Sequence, residues 1–359
     1  LEKLVMARPV VLEPSLWAGL PVFLTGHTGF KGSWLGFWLS HWGARVHGYA
    51  LDPVTEPSLY EALQLRQSLV ADTRGDLGDL AGLQAVMQAA EPQVVFHLAA
   101  QSLVRQSYRE PVGTVATNVL GTAHVLEAVR HCPSVRAVIV VTTDKVYENL
   151  EWSHPYRESD RLGGHDLYSA SKAAAELISA AYRSSFLANR DQPVRVCTVR
   201  AGNVIGGGDW SADRLVPDCM RAFARGMPVS LRHPHAVRPW QHVLDPLSGY
   251  LQLAQRLLFE EADDLPHAMN FGPDATGDEE VGLVAQALAR HWGLGAQIEC
   301  VPQADVRLHE AGLLRLDPSL ARASLGWECR WHLDRALERT VWWYRKHGDG
   351  ADAQGLCRT

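Results

Sequence analysis

An α/β fold is predicted, built on a doubly wound parallel sheet with a smaller, discontinuous lobe towards the C-terminus. Three observations predict it. Strand-like apolar runs alternate with helix-like stretches from Val22 to Val199, the pattern of parallel strands joined by crossover helices. The first run, Val22-Phe-Leu-Thr25, leads into Gly26-His-Thr-Gly29-Phe-Lys-Gly32, and an apolar series with helical spacing follows (Trp34, Leu35, Phe37, Trp38, Leu39). Beyond Val199 the texture changes to glycine, proline and tryptophan clusters, Gly206-Gly-Gly-Asp-Trp210 and Arg238-Pro-Trp240. At 359 residues the chain is long for one compact core. The expected division is 17–200 for the sheet domain, with some later segments returning to it, and 201–359 for a lobe that mainly binds substrate.

The elements follow in order. A strand over 22–25 and a helix over 32–42 precede the strand Ala44-Arg-Val-His-Gly-Tyr-Ala50 and a loop marked by Pro53 and Pro57. Ser68-Leu-Val-Ala-Asp72 reads as the third strand, 79–90 as a helix stopped by Pro92, and Gln93-Val-Val-Phe-His-Leu98 as the fourth strand. A helical stretch over 111–131 leads to Val135-Arg-Ala-Val-Ile-Val-Val-Thr142, the most strand-like run in the chain. A helix over 168–189 and the strand Val194-Arg-Val-Cys-Thr-Val199 complete the series. The second half is expected to hold helices near 214–226, 243–261, 278–292 and 332–346, with Trp342 and Trp343 in the core.

Composition removes several classes of function. Lys and Arg number 34 against 40 Asp and Glu, well mixed, so neither a nucleic-acid footprint nor a basic membrane patch is expected. No apolar run approaches a membrane span and no signal peptide is read. Residues 1 to 5 carry no functional weight, with Met6 a candidate natural start. The six cysteines (Cys132, Cys197, Cys219, Cys300, Cys329, Cys357) form no C-x-x-C pair, which suits reduced thiols in the cytoplasm. Sixteen histidines raise the question of a metal, but no H-E-x-x-H or comparable spacing occurs, and none is expected.

In a doubly wound sheet ligands gather at the carboxyl ends of the strands. Gly26, Gly29 and Gly32 form a candidate phosphate cradle there: the glycines let an anion approach a helix N-terminus, whose unpaired N–H groups and dipole attract it. The long central strand ends in Thr142-Thr-Asp-Lys145, offering a hydroxyl, a carboxylate and an amine. Tyr168 and Lys172 lie at i and i+4 on the next helix, so an ammonium can stand beside a phenol and lower its pKa. A phenolate so poised takes a proton from an alcohol. Three matches in this order outweigh the reading of each as an ordinary turn or surface pair.

With these motifs the chain resembles the extended short-chain dehydrogenase/reductase family and, within it, the nucleotide-sugar 4,6-dehydratases. The likeness runs from about residue 17 onward and rests on Thr25 to Trp34, His97-Leu-Ala-Ala-Gln101, Thr143-Asp-Lys145, Tyr168 to Lys172, Arg200-Ala-Gly-Asn-Val-Ile-Gly-Gly-Gly-Asp-Trp210 and Arg238-Pro-Trp-Gln-His-Val243. His27, the Thr-Asp-Lys triplet and the Gly-Gly-Gly-Asp-Trp run resemble the branch that takes CDP-glucose. The resemblance implies a Rossmann-type sheet and an internal redox cycle on bound NAD, with NADP left open. Tyr168, helped by Thr143 and Lys172, would take the sugar 4-hydroxyl proton, and Asp144 would act as acid for the departing 6-hydroxyl. Lys145 would serve C5, as base or as positive support for an enolate; the dTDP-glucose branch resembles a Glu there.

The resemblance also implies a cofactor site made by Gly26, His27, Gly29, Phe30, Lys31 and Gly32, by Asp76 and Leu77 on the adenine side, and by Ala99, Ala100, Gln101, Tyr168 and Lys172 on the nicotinamide side. Asn203, Arg214 and Arg238 look like the grip on the substrate's diphosphate, a task suited to the planar fork of guanidinium. Trp210 and Trp240 are read as packing ahead of ligand platforms. Ala50 stands where an acidic residue usually takes the ribose hydroxyls, with Asp52 two residues on; together with a bulky His27 in the turn, this predicts a loosely held NAD. A homodimer is implied, through a four-helix interface made by 111–131 and 168–189. The alternatives are another nucleotide-sugar dehydratase, epimerase or decarboxylase acting on a GDP-, dTDP- or UDP-sugar, and a catalytically silent dinucleotide-binding regulator. The intact Tyr168, Lys172, Thr143 and Asp144 argue against silence, and Asp144-Lys145 argues against a simple epimerase.

Overall fold

The computed structural model describes residues 10–260, 265–300 and 311–359; the candidate start at Met6 lies outside them. Seven strands, all parallel, form the central sheet: β1 (Pro21–Thr25), β2 (Arg45–Ala50), β3 (Ala71–Arg74), β4 (Val94–His97), β5 (Ala137–Val141), β6 (Arg195–Ala201) and, from the second half, β10 (Ala268–Phe271). Their order is β10-β6-β5-β4-β1-β2-β3. The order reverses direction between β1 and β4, which opens a crevice there at the strand ends.

Apolar residues fill both faces of this sheet, as parallel strands require. Along β5, Ala137, Ile139 and Val141 enter the larger core, while Val138 and Val140 enter a second core behind the sheet. On β1, Val22 and Leu24 face one way and Phe23 the other. The helix Phe30–His41 packs Trp34, Leu35, Phe37 and Leu39 into the larger core. The helix expected over 111–131 is present as Pro111–Val115 and Gly121–Arg130 joined by a π-helical stretch, Ala116–Leu120. The helix Leu167–Tyr182 likewise runs on into a π-helical stretch, Arg183–Leu187.

The third strand sits three residues later than its apolar run suggests. Leu65–Ser68 forms a 3-10 turn with Leu65 fully buried, and the ladder begins only where His47 faces Ala71. Its residues Asp72, Thr73 and Arg74 are polar because this edge strand faces a charged cluster rather than a core.

Two small sheets form in the second half of the chain. β7 (Asn203–Ile205) pairs with β9 (Val237–His242), which pairs in turn with β11 (Asp278–Glu280); β8 (Pro228–Leu231) pairs with β12 (Gln297–Cys300). Helices Leu215–Ala224, Leu244–Phe259, Val281–Trp292 and Leu333–Gly348 surround them. The last places Trp343 in the core, against Trp210, with ring centroids 5.7 Å apart. Residues 278–280, expected to start a helix, form a strand edge instead: Asp278 and Glu280 pair with Pro239 and Val237.

Candidate active site

A cavity of about 720 Å³ lies along the carboxyl ends of β1 to β6 and under the smaller lobe. Its floor at β1 is the glycine turn. Gly26 has φ +75°, and a Cβ there would stand 2.6 Å from the Ala99 nitrogen; a Cβ on Gly32 would stand 2.0 Å from the Gly26 carbonyl oxygen. Only hydrogen fits at either place, so the turn is pressed flat against β4 and the first helical N–H groups open to the cavity. Gly29 is the N-cap of the helix Phe30–His41 and supplies no side-chain cap of its own. The turn thus offers unpaired donors and a positive helix end.

Three strand ends supply the chemistry above this floor. Thr25 accepts the Ala99 N–H at 3.2 Å and stands 2.8 Å from His97 Nδ1. His97, whose Nε2 is 3.1 Å from the Thr122 hydroxyl, is pushed down to about 3 by burial and is neutral. After β5, Thr143 donates to Asp144 Oδ1 at 2.9 Å and accepts the Lys145 N–H at 3.4 Å. The second carboxylate oxygen of Asp144 is buried without a hydrogen-bond partner. Burial raises the Asp144 pKa, against the pull of Lys145, Thr143, Arg238 and Lys31. A carboxyl in that condition is built to donate a proton.

Tyr168 and Lys172 reach the same wall from the helix Leu167–Tyr182, which Asp166 caps by accepting the Ser169 N–H. The ammonium of Lys172 donates to the Val141 carbonyl at 3.1 Å. Burial pushes it down to about 8, and Glu176, one turn further on, pulls it back up. The expected lowering of Tyr168 is not what the structure shows. Burial pushes the phenol up to about 12, and the opposing influences are the Thr143 hydroxyl and the charge of Arg214. Desolvation of the ring outweighs the neighbouring charges.

The cavity brings together Gly26, Gly29, Phe30, Lys31, Gly32, Asp76, Leu77, Ala99, Ala100, Thr143, Asp144, Lys145, Tyr168, Lys172, Asn203, Arg214 and Arg238. It does not include His27 or Gln101. The His27 imidazole is fully buried and turned into the protein, lying over Gly48, where a Cβ would come within 2.7 Å of the ring, and 2.7 Å from Asp72. Its bulk therefore lies away from the cavity and, contrary to expectation, does not crowd the turn. Gln101 folds back, accepting the Leu103 N–H at 2.6 Å and donating to Thr114. Its backbone N–H is taken by Asn118, so it orders the loop rather than facing the cavity.

Lys31 also lines the cavity, close to two other cations. Burial pushes it down to about 7, with Arg214 and Lys172 adding to the shift and Asp144 and Asp209 opposing it. Arg214 spans Asp209 and Ser102, each at 3.1 Å. Arg238 is buried and donates to the carbonyls of Val237, at 2.8 Å, and Ala311. Asp76 accepts the Gly78 N–H at 2.7 Å within its own turn.

Sequence reasoning missed Glu176. Its carboxylate accepts from Thr142 at 2.5 Å, from Thr198 at 2.5 Å and from the two arms of Arg200 at 2.9 Å each. It thereby fixes Thr142, the residue leading into the Thr143-Asp144-Lys145 triplet. A second i, i+4 step, from Lys172 to Glu176, was the available signal.

Comparison with known proteins follows the same lines. The family description GDP-mannose 4,6 dehydratase matches residues 23–340. The chain is 45% identical to a CDP-glucose 4,6-dehydratase of Salmonella typhimurium, over 95% of each chain. It is 32% identical to a dTDP-glucose 4,6-dehydratase of Streptomyces griseus, over 76% of this chain and 77% of that one. Among solved structures, MoeE5 in complex with UDP-glucuronic acid and NAD is similar, with a TM-score of 0.76, 25% identity and coverage of 91% of this chain and 99% of that one. The dTDP-glucose 4,6-dehydratase of Bacillus anthracis in complex with NAD shares the fold, with a TM-score of 0.74, 22% identity and coverage of 92% and 98%.

Proposed function

The chain belongs to the GDP-mannose 4,6-dehydratase family, and from that premise we propose that it converts CDP-glucose to CDP-4-keto-6-deoxyglucose with NAD as its resident cofactor. The observation that carries the substrate is the near-full-length likeness to the Salmonella enzyme of that name. Asp144 and Lys145 beside Tyr168 on one cavity wall support the reaction.

The cavity suits a nicotinamide dinucleotide. The flattened glycine turn gives a pyrophosphate seat where no Cβ is tolerated, and Asp76, Leu77, Ala99 and Ala100 extend the groove to either side. Held there, NAD would supply the hydride acceptor for sugar C4 and the hydride donor for C6. The protein's own residues handle the protons. Tyr168, with Thr143 beside it, takes the proton of the 4-hydroxyl, and the Thr143 hydroxyl and the charge of Arg214 favour the phenolate. The 4-ketone so formed acidifies the proton on C5. Lys145 serves that carbon, and Asp144 gives its proton to the 6-hydroxyl as water departs. Arg214, Arg238 and Asn203 line the side where the substrate's diphosphate enters.

The test is a panel of CDP-, dTDP-, GDP- and UDP-glucose, with the alkaline absorbance of the 4-keto product as readout. The expected result is product from the cytidine sugar at a rate well above the other three. No product from CDP-glucose overturns the substrate.

The partner we propose is a second copy of the chain. Support comes from the apolar side chains exposed along the two neighbouring helical stretches: Val112 is 80% exposed, Leu177 62% and Leu120 and Phe186 50% each. Such a stripe along two adjacent helical stretches is the kind of face a four-helix interface covers. Leu177→Arg is expected to turn the dimer into a monomer in sedimentation equilibrium, with the circular dichroism of the fold retained; an unchanged mass overturns this interface. The unpaired cysteines Cys132, Cys197, Cys219, Cys329 and Cys357 suit a reducing, cytoplasmic setting.

A further inference from the structure

At the half-exposed rim of the cavity, charged side chains join the sheet domain to the smaller lobe. The helix Val104–Arg109, on the segment after β4, brings Arg105 and Arg109 from the sheet side. Arg232, the residue after β8, comes from the smaller lobe. Asp213 stands between them, in the segment that leads into the helix Leu215–Ala224. Arg105, Asp213 and Arg232 all line the cavity.

The contacts are uneven. Arg232 Nη1 donates to Asp213 Oδ1 at 3.1 Å. Arg105 Nη1 stands 3.8 Å from the same oxygen and Arg109 Nη2 3.7 Å from Oδ2, within reach of charge but too far for hydrogen bonds. The forked donors of Arg105 are thus drawn to this carboxylate without being bonded by it. Three guanidinium groups against one carboxylate leave an excess of positive charge. The nearby Asp209 and Asp218 do not cancel it, because they are paired with Arg214 and Arg221. The backbone at Asp213 is left-handed, with φ +60°, a conformation that aspartate and asparagine adopt more readily than most side chains. The next residue, Arg214, also reaches the sheet side, donating to Ser102 at 3.1 Å, and its charge acts on Tyr168. Two consecutive side chains therefore tie this segment across the rim.

We propose that Asp213 stands in for the diphosphate of the substrate: its carboxylate holds Arg105 and Arg232 at the rim until a nucleoside diphosphate takes both guanidinium groups over, and the exchange joins the two lobes through the substrate. This deepens the reading of the cavity as a nucleotide-sugar site and rests on it. Arg105 and Arg232 are then substrate-binding residues beyond those read from the sequence, and Arg105 is the one that the sheet domain supplies. A guanidinium fork bonds a phosphate through paired N–H groups, which are shorter and stronger than the ionic contact Arg105 makes with Asp213. Asp213 competes for the same donors and repels the same anion. Its charge therefore opposes substrate binding, the reverse of what an aspartate serving only to hold the loop would do.

The experiment titrates CDP, an unreactive diphosphate, into the full-length protein saturated with NAD, and NAD into the protein alone, both by calorimetry. It compares wild type, Asp213→Asn, Arg105→Met and the double variant. Asparagine suits the left-handed backbone and keeps the size of the side chain, and circular dichroism checks each fold. Asp213→Asn is expected to bind CDP about fivefold more tightly at low ionic strength, the worth of an ion pair of this exposure. The gain shrinks as added salt screens the rim. Arg105→Met binds CDP about tenfold more weakly, the loss of a charge-assisted hydrogen bond. In the double variant the gain from Asp213→Asn is smaller, because one of the two guanidinium groups it would free is gone. NAD binding is the same in all four proteins. Asp213→Asn binding CDP no tighter, or more weakly, overturns the inference, since the carboxylate then only holds the loop. Arg105→Met binding CDP like wild type also overturns it, as does an undiminished gain in the double variant, which assigns the effect to plain repulsion. A gain seen with NAD in place of CDP overturns it too, by moving the exchange to the cofactor. Wild type that binds NAD but no CDP overturns the reading of the substrate, and this inference with it.

Discussion

Tyr168→Phe is expected to lower kcat with CDP-glucose by about a thousandfold, the usual scale for loss of a positioned acid–base group, while dinucleotide binding changes little. The phenol oxygen is the one atom removed, and the ring stays buried in the wall it already fills. The pH dependence separates the chemical role from packing. Burial pushes Tyr168 up to about 12, so its base form is scarce at neutral pH and grows as pH rises towards that value. The kcat/KM of the wild type therefore climbs with pH through neutrality. Lys172, pushed down to about 8 by burial, loses its charge over the upper part of that range. In Tyr168→Phe the residual rate has no such climb. A variant with wild-type kcat, or one that keeps the same rising limb, would remove Tyr168 from the proton transfer.

Much of this site was legible in the sequence because its parts are local. The glycine turn, the Thr-Asp-Lys triplet and the Tyr168–Lys172 pair are each set by neighbours within a few residues, and strand–helix alternation carries them all to one edge of the sheet. What was not legible depends on contacts distant in sequence. Nothing near His27 says that its ring turns inward over Gly48 to meet Asp72, 45 residues away. Glu176 gains its meaning only when Arg200 and Thr142 arrive from neighbouring strands. The third strand was misplaced because Leu69, Val70 and Ala71 are apolar enough to read as strand from Ser68, while the true edge strand, Ala71–Arg74, is largely polar. Its polarity comes from the Asp72–Arg74 cluster, a tertiary feature that period-two alternation cannot show.

The proton that leaves with water should come from Asp144, and Asp144→Asn separates oxidation from elimination. The asparagine keeps the shape of the side chain and can still accept from Thr143, but it has no acidic proton to offer to the departing 6-hydroxyl. Formation of the 6-deoxy product is expected to fall by about a hundredfold to a thousandfold, with C4 oxidation retained. Single-turnover mixtures, with enzyme in excess and quenched by borodeuteride, should then yield hexose labelled at C4 that still carries its 6-hydroxyl. The wild type should yield labelled 6-deoxyhexose instead. The sign of the pH effect follows from the site: burial raises the Asp144 pKa and so keeps the acid form to higher pH than an exposed aspartate, and the elimination step slows as pH rises past that point. Set against the climb due to Tyr168, this gives a bell-shaped profile for the complete reaction, and Asp144→Asn should remove its falling side from what activity remains. A variant that makes 6-deoxy product at the wild-type rate would show that the buried, unpartnered oxygen of Asp144 does not donate the proton, and would move the acid to another group on this wall.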